Sequence, residues 1–218
     1  MDSSNLNRLF IGSILILVVL FFYLINFDLL FILIIASFLS YDLFHIRVTN
    51  NYLLIIFNVT FILSLIFIPI HLFESLYIFQ SIILLCIFFF KKFRRELFIL
   101  LLYIFCIILF YIITIDRNIF YLLILISFFN DTVAYIFGRY LKGPLILPKI
   151  SPKKTWSGTS ISFIATTLLL LFFNFDIFIS MIISIFLFLG DIFFSYIKRF
   201  LNIKDFSLLL GNHGGILD

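Results

Sequence analysis

From Leu9 to Gly190 the chain is a succession of apolar runs without a polar face, and such runs have few places to go. They lie at about 9–25, 27–40, 52–70, 76–90, 97–115, 118–137, 159–175 and 177–190. A helix of a soluble bundle carries a polar stripe opposite its apolar one; these do not. A bilayer core about 30 Å thick takes around 20 apolar residues in a helix. Most of the runs qualify, and those at 27–40 and 76–90 are short enough to need flanking residues. A mean hydropathy of +1.28 lies well outside the range of soluble domains. The abundance of Phe, Ile, Leu and Asn also suits an AT-rich genome. The expected fold class is all-α, a polytopic membrane protein of about eight transmembrane helices with a cytoplasmic N-terminus. Only Arg8 and no small-residue cleavage site accompany the first run, so it reads as a retained helix, not a signal peptide.

Charge placement tests that count. With the N-terminus inside, the inner segments hold Arg8, Arg47, Lys91, Lys92, Arg94, Arg95, Arg139, Lys142, Lys149, Lys153, Lys154, Lys198, Arg199 and Lys204. That is 14 of the 15 basic residues, with Arg117 alone outside. The outer turns carry Asp28, Glu74, Asp116 and Asp176 instead. This is the positive-inside asymmetry, so the net charge of +4 is mostly topology and gives no support to nucleic-acid binding. Cys86 and Cys106 fall mid-run in different helices without Cys-x-x-Cys spacing, as fillers.

The chain reads as a single membrane domain, 1–218, with an internal contrast. Residues 1–120 contain one Gly and one Pro and read as scaffold, while 121–218 hold the other seven Gly and three Pro. Backbone that turns tightly or approaches a ligand is confined to the second part.

Two polar islands stand there. The first is NDTVAYIFGRYLKGPLILPKISPKKTWSG, residues 130–158. Within a span, the Asp131 carboxylate costs about 2–3 kcal/mol unless paired or hydrated. Either it pairs with Arg139, or it belongs to a polar site on the helix face it shares with Tyr135 and Gly138. Ser151-Pro152 is expected to open a helix as N-cap and first residue. Lys153, Lys154 and Thr155 then fill its first turn. Cations there oppose the helix dipole, so an anion such as phosphate would suit the free N–H groups; two ordinary boundary lysines are the alternative. The second island starts at Gly190-Asp191. Asp191, Ser195 and Lys198 share one helix face, and a carboxylate, a hydroxyl and an ammonium so stacked can hold a divalent cation beside a phosphate. Lys204-Asp205 repeats the pairing, His213-Gly214-Gly215 lets backbone approach a phosphate, and Asp218 adds a hard oxygen.

Hard oxygens with Lys, Arg and Gly suit Mg²⁺ and polyphosphate, not zinc. The sequence has no Gly-x4-Gly-Lys for a P-loop and no Gly-x-Ser-x-Gly for a lipase-type nucleophile. It has no Asp-Gly dipeptide either, as an enzyme transferring CDP-alcohols through Asp-Gly-x2-Ala-Arg would need. What is left is phosphate chemistry on a membrane-embedded substrate.

GDIFFSYIKRFLNIKDFSLLLGNHGGILD resembles the C-terminal signature of the phosphatidate cytidylyltransferase (CDP-diacylglycerol synthase) family: Ser-x2-Lys-Arg, then Lys-Asp, then His-Gly-Gly-x-x-Asp. DTVAYIFGR and SPKKTWSG are similar to its upstream motifs. The resemblance implies transfer of the cytidylyl group of CTP to phosphatidate, giving CDP-diacylglycerol and pyrophosphate, with Mg²⁺ as cofactor. It implies metal binding by Asp191 and Asp218 and catalytic roles for Lys198, Arg199, Lys204, Asp205 and His213. Substrate contacts fall to Asp131, Arg139, Ser151, Lys153, Lys154, Thr155, Ser195, Gly214 and Gly215. Departures from the family pattern are Phe194 and Ser157 in place of Glu, Val133 in place of Gly, and Gly211-Asn212 in place of Pro-Gly. The pattern also runs on past Asp218 through Arg and Asp into a last apolar helix, so the resemblance implies a chain cut short.

The expected partners are CTP, phosphatidate and the lipid bilayer, with no nucleic acid and a homodimer allowed. The expected location is the inner membrane of a bacterium, with the site facing the cytoplasm. The rival readings are a CTP-dependent lipid-alcohol kinase and a non-enzymatic lipid translocator or transporter. Charged residues gathered at one membrane face, not along a path across it, oppose the last. Reporter fusions after Lys92, Leu147 and Lys204 should report cytoplasm, and fusions at Phe73 and Asp176 periplasm. A periplasmic signal at Leu147 would undo the span count.

Overall fold

The structure, a computed structural model, describes residues 3–45, 73–90 and 94–207. These form helices α1 (Ser3–Ile25), α2 (Asp28–His45), α3 (Phe73–Phe89), α4 (Arg94–Ile115), α5 (Arg117–Leu141), α6 (Trp156–Phe172) and α7 (Ile177–Phe200). One hairpin, β1 (Leu145–Leu147) with β2 (Ser151–Thr155), stands between α5 and α6. The helices run over the expected apolar stretches, and α2 and α3 gain length from flanking residues, as their short runs require. Among the described residues Glu96–Ile115, Arg117–Leu141 and Ile177–Phe200 are long and apolar enough to cross a membrane. Leu24, Phe89, Phe172, Phe178 and Phe186 are exposed around the helices, as hydrocarbon surroundings favour and water does not. The chain is an α-helical membrane protein. The run at 52–70 lies outside the described residues, as do His213, Gly214, Gly215 and Asp218.

Helix ends are set by residues visible in the sequence. Asn26, Asn174 and Asn202 take φ of 64°, 65° and 57° just past α1, α6 and α7. Asparagine tolerates this left-handed region and so ends a helix much as glycine does. After α6, the Phe175 N–H returns to the Leu170 carbonyl at 3.1 Å and the Asn174 N–H to Leu171 at 2.9 Å. The next helices start on aspartates. Asp176 caps α7 by accepting from the Phe178 N–H at 2.8 Å, and Asp116 caps α5 by accepting from Asn118 and Ile119 at 2.9 and 3.1 Å.

By contacts the described residues form two compact units. The first comprises 3–11, 17–45, 73–90, 94–121 and Phe206–Ser207. Here α4 packs along α3 and against α2, burying Leu43, Ile87, Phe98, Leu102 and Ile107. Phe206 stacks on Phe98 with centroids 6.1 Å apart. The Ser207 hydroxyl donates to the fully buried Asp42 at 2.6 Å. Elsewhere in this unit Arg117 meets the Asp28 carboxylate at 2.8 Å, while the Tyr121 hydroxyl donates to Asp28 at 2.9 Å. The guanidinium also donates to the Phe22 and Tyr23 carbonyls and lies over the Tyr23 and Tyr121 rings. Arg117, the basic residue expected on the outer side, is thus paired with a carboxylate.

The second unit comprises 12–16 and 122–205. In it α6 packs along α7, and the hairpin lies against both. Polar side chains facing each other inside it are satisfied by hydroxyl contacts. Thr167 and Ser184 meet at 3.1 Å, Ser184 donates to the Ser180 carbonyl at 2.9 Å, and Ser180 donates to the Asp176 carbonyl at 2.8 Å. Backbones touch where α6 crosses α5. A Cβ on Gly158 would lie 2.5 Å from the Ala134 carbonyl oxygen and 2.8 Å from Gly138 Cα. Small residues permit this approach between membrane helices.

Gly158→Ala must push two backbones apart, a cost of about 2–3 kcal/mol, or roughly 5–10 °C in Tm for a chain of this size. Gly12→Ala, where nothing lies within 4 Å, should leave Tm unchanged or slightly raised. Thermal unfolding in detergent compares the two, and equal effects would rule out the crossing as described.

Candidate active site

The second unit brings three charged side chains together from three elements. Asp131 comes from α5, Lys154 from β2 and Asp191 from α7. Lys154 Nζ lies 2.6 Å from Asp191 Oδ2, with the two side chains 25% and 34% exposed. The nitrogen itself is closed off from solvent and meets no acceptor at hydrogen-bond angles among the described residues. The Asp191 carboxylate is its counterion, and its N–H donors are otherwise unspent. Asp131, whose side chain is exposed, interacts electrostatically with both Asp191 and Lys154. Two carboxyl groups thus stand by one ammonium.

The hairpin delivers Lys154. Leu147 to Ile150 forms its turn, with Pro148 at the second position and the Ile150 N–H bonded to the Leu147 carbonyl at 3.0 Å. Ser151 pairs with Leu147 and Thr155 with Leu145. This corrects the expectation of a helix starting at Ser151-Pro152. Ser151, Pro152 and Lys153 lie on a strand, where proline is tolerated because a two-stranded hairpin leaves an edge unpaired. The helix starts four residues later. Thr155 is the N-cap, accepting from the Gly158 N–H at 3.3 Å. Its hydroxyl also lies 3.2 Å from that of Ser157, which accepts from the Gly143 N–H at 3.2 Å. Lys154 therefore precedes the helix instead of lying in its first turn, and its partner is Asp191. The Lys153 side chain lies outside the described set.

The stripe expected on α7 forms, since Asp191, Ser195 and Lys198 all lie on that helix. Arg199 has a different contact, donating from Nε to the Ile150 carbonyl at 3.0 Å and from a terminal nitrogen to Ile203 at 3.4 Å. It ties the hairpin turn to the end of α7. Lys204 and Asp205 are exposed on the segment after α7, and Arg139 is exposed near the end of α5. Gly190, beside Asp191, has nothing within 4 Å of a would-be Cβ, so there is open space next to the carboxylate.

The sequence expectations passed over Asn130 and Thr166. Asn130 is 6% exposed, and its Oδ1 accepts from the Thr166 hydroxyl at 3.2 Å, with Thr166 fully buried. The signal was present: amide and hydroxyl residues inside apolar helices carry a desolvation cost that partners must offset. No cluster of three carboxylate, His or Cys side chains gathers among the described residues. The hard oxygens brought near each other there are those of Asp131 and Asp191, the residues that could hold a cation such as Mg²⁺ together with phosphates and water.

The chain is 40% identical to a phosphatidate cytidylyltransferase of Rickettsia conorii, over 40% of its own length and 45% of the relative's. It is 38% identical to a phosphatidate cytidylyltransferase of Staphylococcus saprophyticus, over 43% of its length and 40% of the relative's. A putative phosphatidate cytidylyltransferase of Mycoplasma pneumoniae is 36% identical, over 45% of this chain and 38% of the relative. The match thus spans less than half the length of each of these relatives. No solved structure matches the chain. The sequence profile of the cytidylyltransferase family covers residues 6–218, and the chain belongs to that family.

Proposed function

We propose that the chain transfers the cytidylyl group of CTP to phosphatidate at the cytoplasmic face of a bacterial inner membrane, releasing pyrophosphate and CDP-diacylglycerol. The observation that carries this reading is the shielded Lys154–Asp191 pair with Asp131 beside it, in a chain whose named relatives are phosphatidate cytidylyltransferases.

A phosphatidate oxygen attacks the α-phosphorus of CTP, forming one P–O bond as the bond to the β-phosphate oxygen breaks, and pyrophosphate leaves. Negative charge on the transferring and departing phosphates is what the site must neutralise. Mg²⁺, held by Asp191 and Asp131, would supply charge neutralisation there. With Asp191 holding the cation, Lys154 would have its three donors available for phosphate oxygens. Arg199 holds the hairpin turn on α7, which keeps Lys154 and Asp191 in range of each other. Ser195 and Lys198 extend the polar stripe toward the segment bearing Lys204 and Asp205.

Asp191→Asn removes the charge a cation needs while keeping size, so turnover measured well below the unfolding temperature should fall on the order of 100-fold or more, and Tm should fall as well because Lys154 loses its counterion. Lys154→Met should act mainly by raising the KM for CTP. The assay is labelled CTP with phosphatidate in mixed micelles, with and without Mg²⁺. A phosphorylated lipid alcohol plus CDP as the product would replace the reaction proposed. Undiminished turnover in Asp191→Asn would remove that residue from the site.

A further inference from the structure

We propose that a groove between α6 and α7 holds one acyl chain of the lipid substrate while the lipid's phosphate meets Lys154. The proposal rests on the reading of Lys154 as a phosphate-binding residue. The groove is an open cavity of about 360 Å³ in the second unit. Trp156, Phe163 and Ile164 line it from α6, and Ile185 and Phe188 from α7. Its wall is almost wholly apolar. Thr159 lines it too, but the Thr159 hydroxyl is spent on the Thr155 carbonyl, to which it donates at 3.0 Å. A nucleotide entering such a wall would give up its hydration without replacement. A hydrocarbon chain has none to lose.

Two features select a lipid chain beneath a phosphate. The first is continuity with the charged pair. Trp156 follows Lys154 by two residues, and Phe188 lies about one turn before Asp191 on α7. From Trp156 the groove follows one face of α6 through Ser160, Phe163 and Ile164, at i+4, i+7 and i+8. It thus leaves the charged pair and runs roughly 12 Å along the helix toward its apolar middle. A lipid has the same layout, a charged head joined to an apolar chain. The second feature is width. A helix about 10 Å across would need on the order of 900 Å³ over that length. A slender chain fits the cavity, and a helix from a second copy does not. At the charged end stands the half-exposed indole of Trp156, a side chain suited to the boundary between headgroups and hydrocarbon.

Trp156 is the only tryptophan of the chain, so its fluorescence reports on this groove. The test titrates the full chain in detergent micelles with phosphatidate brominated on its acyl chains, bromine being a short-range quencher of indole. Brominated phosphatidylcholine with the same chains is the reference. Quenching by phosphatidate should saturate at a midpoint about tenfold below that of phosphatidylcholine, and Lys154→Met should remove the difference. Ser160→Phe places a ring in the groove and should raise the phosphatidate midpoint on the order of tenfold, as losing about two buried methylenes would. Phe188→Ala takes away part of the wall instead and should raise it about fivefold. Ile179→Phe, exposed on α7 and outside the groove, should stay within about twofold of the parent. If phosphatidate keeps its Lys154-dependent advantage but neither groove variant shifts the midpoint, the proposal is overturned while the phosphate reading stands. A shift in Ile179→Phe as large as in Ser160→Phe would show general loosening of the helix pair and overturn it as well. Equal quenching by both lipids in the parent would mean that any lipid fills the groove, overturning the proposal together with the reading of Lys154. An advantage that survives Lys154→Met has the same consequence.

Discussion

An ammonium nitrogen closed off from water is tolerable only beside a counterion, and Lys154 against Asp191 is the contact around which the second unit is arranged. Stripping charges of solvent costs several kcal/mol per ion, and the mutual attraction offsets this only when geometry holds the partners together. Here the geometry has three supports. The hairpin turn presents Lys154, Arg199 fastens that turn to α7, and α7 carries Asp191. Asp131 places a second carboxyl group beside the pair.

Much of the helical plan was legible in the sequence, and so were the principal charges of the site. Apolar length and the absence of polar faces located the helices. Asp131 stood out because an ionised group is expensive in apolar surroundings, Lys154 because a cation opposes the helix start expected there, and Asp191 by the helix face it shares with Ser195 and Lys198. The hairpin was not legible. Ser-Pro followed by polar residues is a good helix start by local rules, and the competing strand pairing depends on Leu145 and Leu147, several residues back. Local capping preference lost to a tertiary contact, and the cap moved to Thr155. Asn130 and Thr166 were missed for a related reason. Each is unremarkable alone, and their meaning comes from a contact across 36 positions in the chain.

The same economy of partners runs through the first unit. Arg117, Asp28, Tyr23 and Tyr121 form one cluster in which the guanidinium spends its donors on a carboxylate and two carbonyls and its flat faces on aromatic rings. Asp42 is buried with the Ser207 hydroxyl against it. Neither cluster has free charge for chemistry. Both instead let polar groups exist in a chain that is 64% hydrophobic, and Ser207 with Phe206 fixes the chain just after Asp205 against α2 and α4.

The crossing of Gly138 and Gly158 separates two kinds of evolutionary freedom. It sets the start of α6, and with it Thr155 and the adjoining Lys154, by backbone resting on backbone, with no side chain acting as spacer. The exposed residues of α6 and α7 have no part in that distance. Mutational drift can therefore exchange Phe, Ile and Leu on the lipid-facing surface without moving the lysine. The two glycines have no such latitude. Neither position can be repaired by shrinking the other, because both are already at the smallest residue there is.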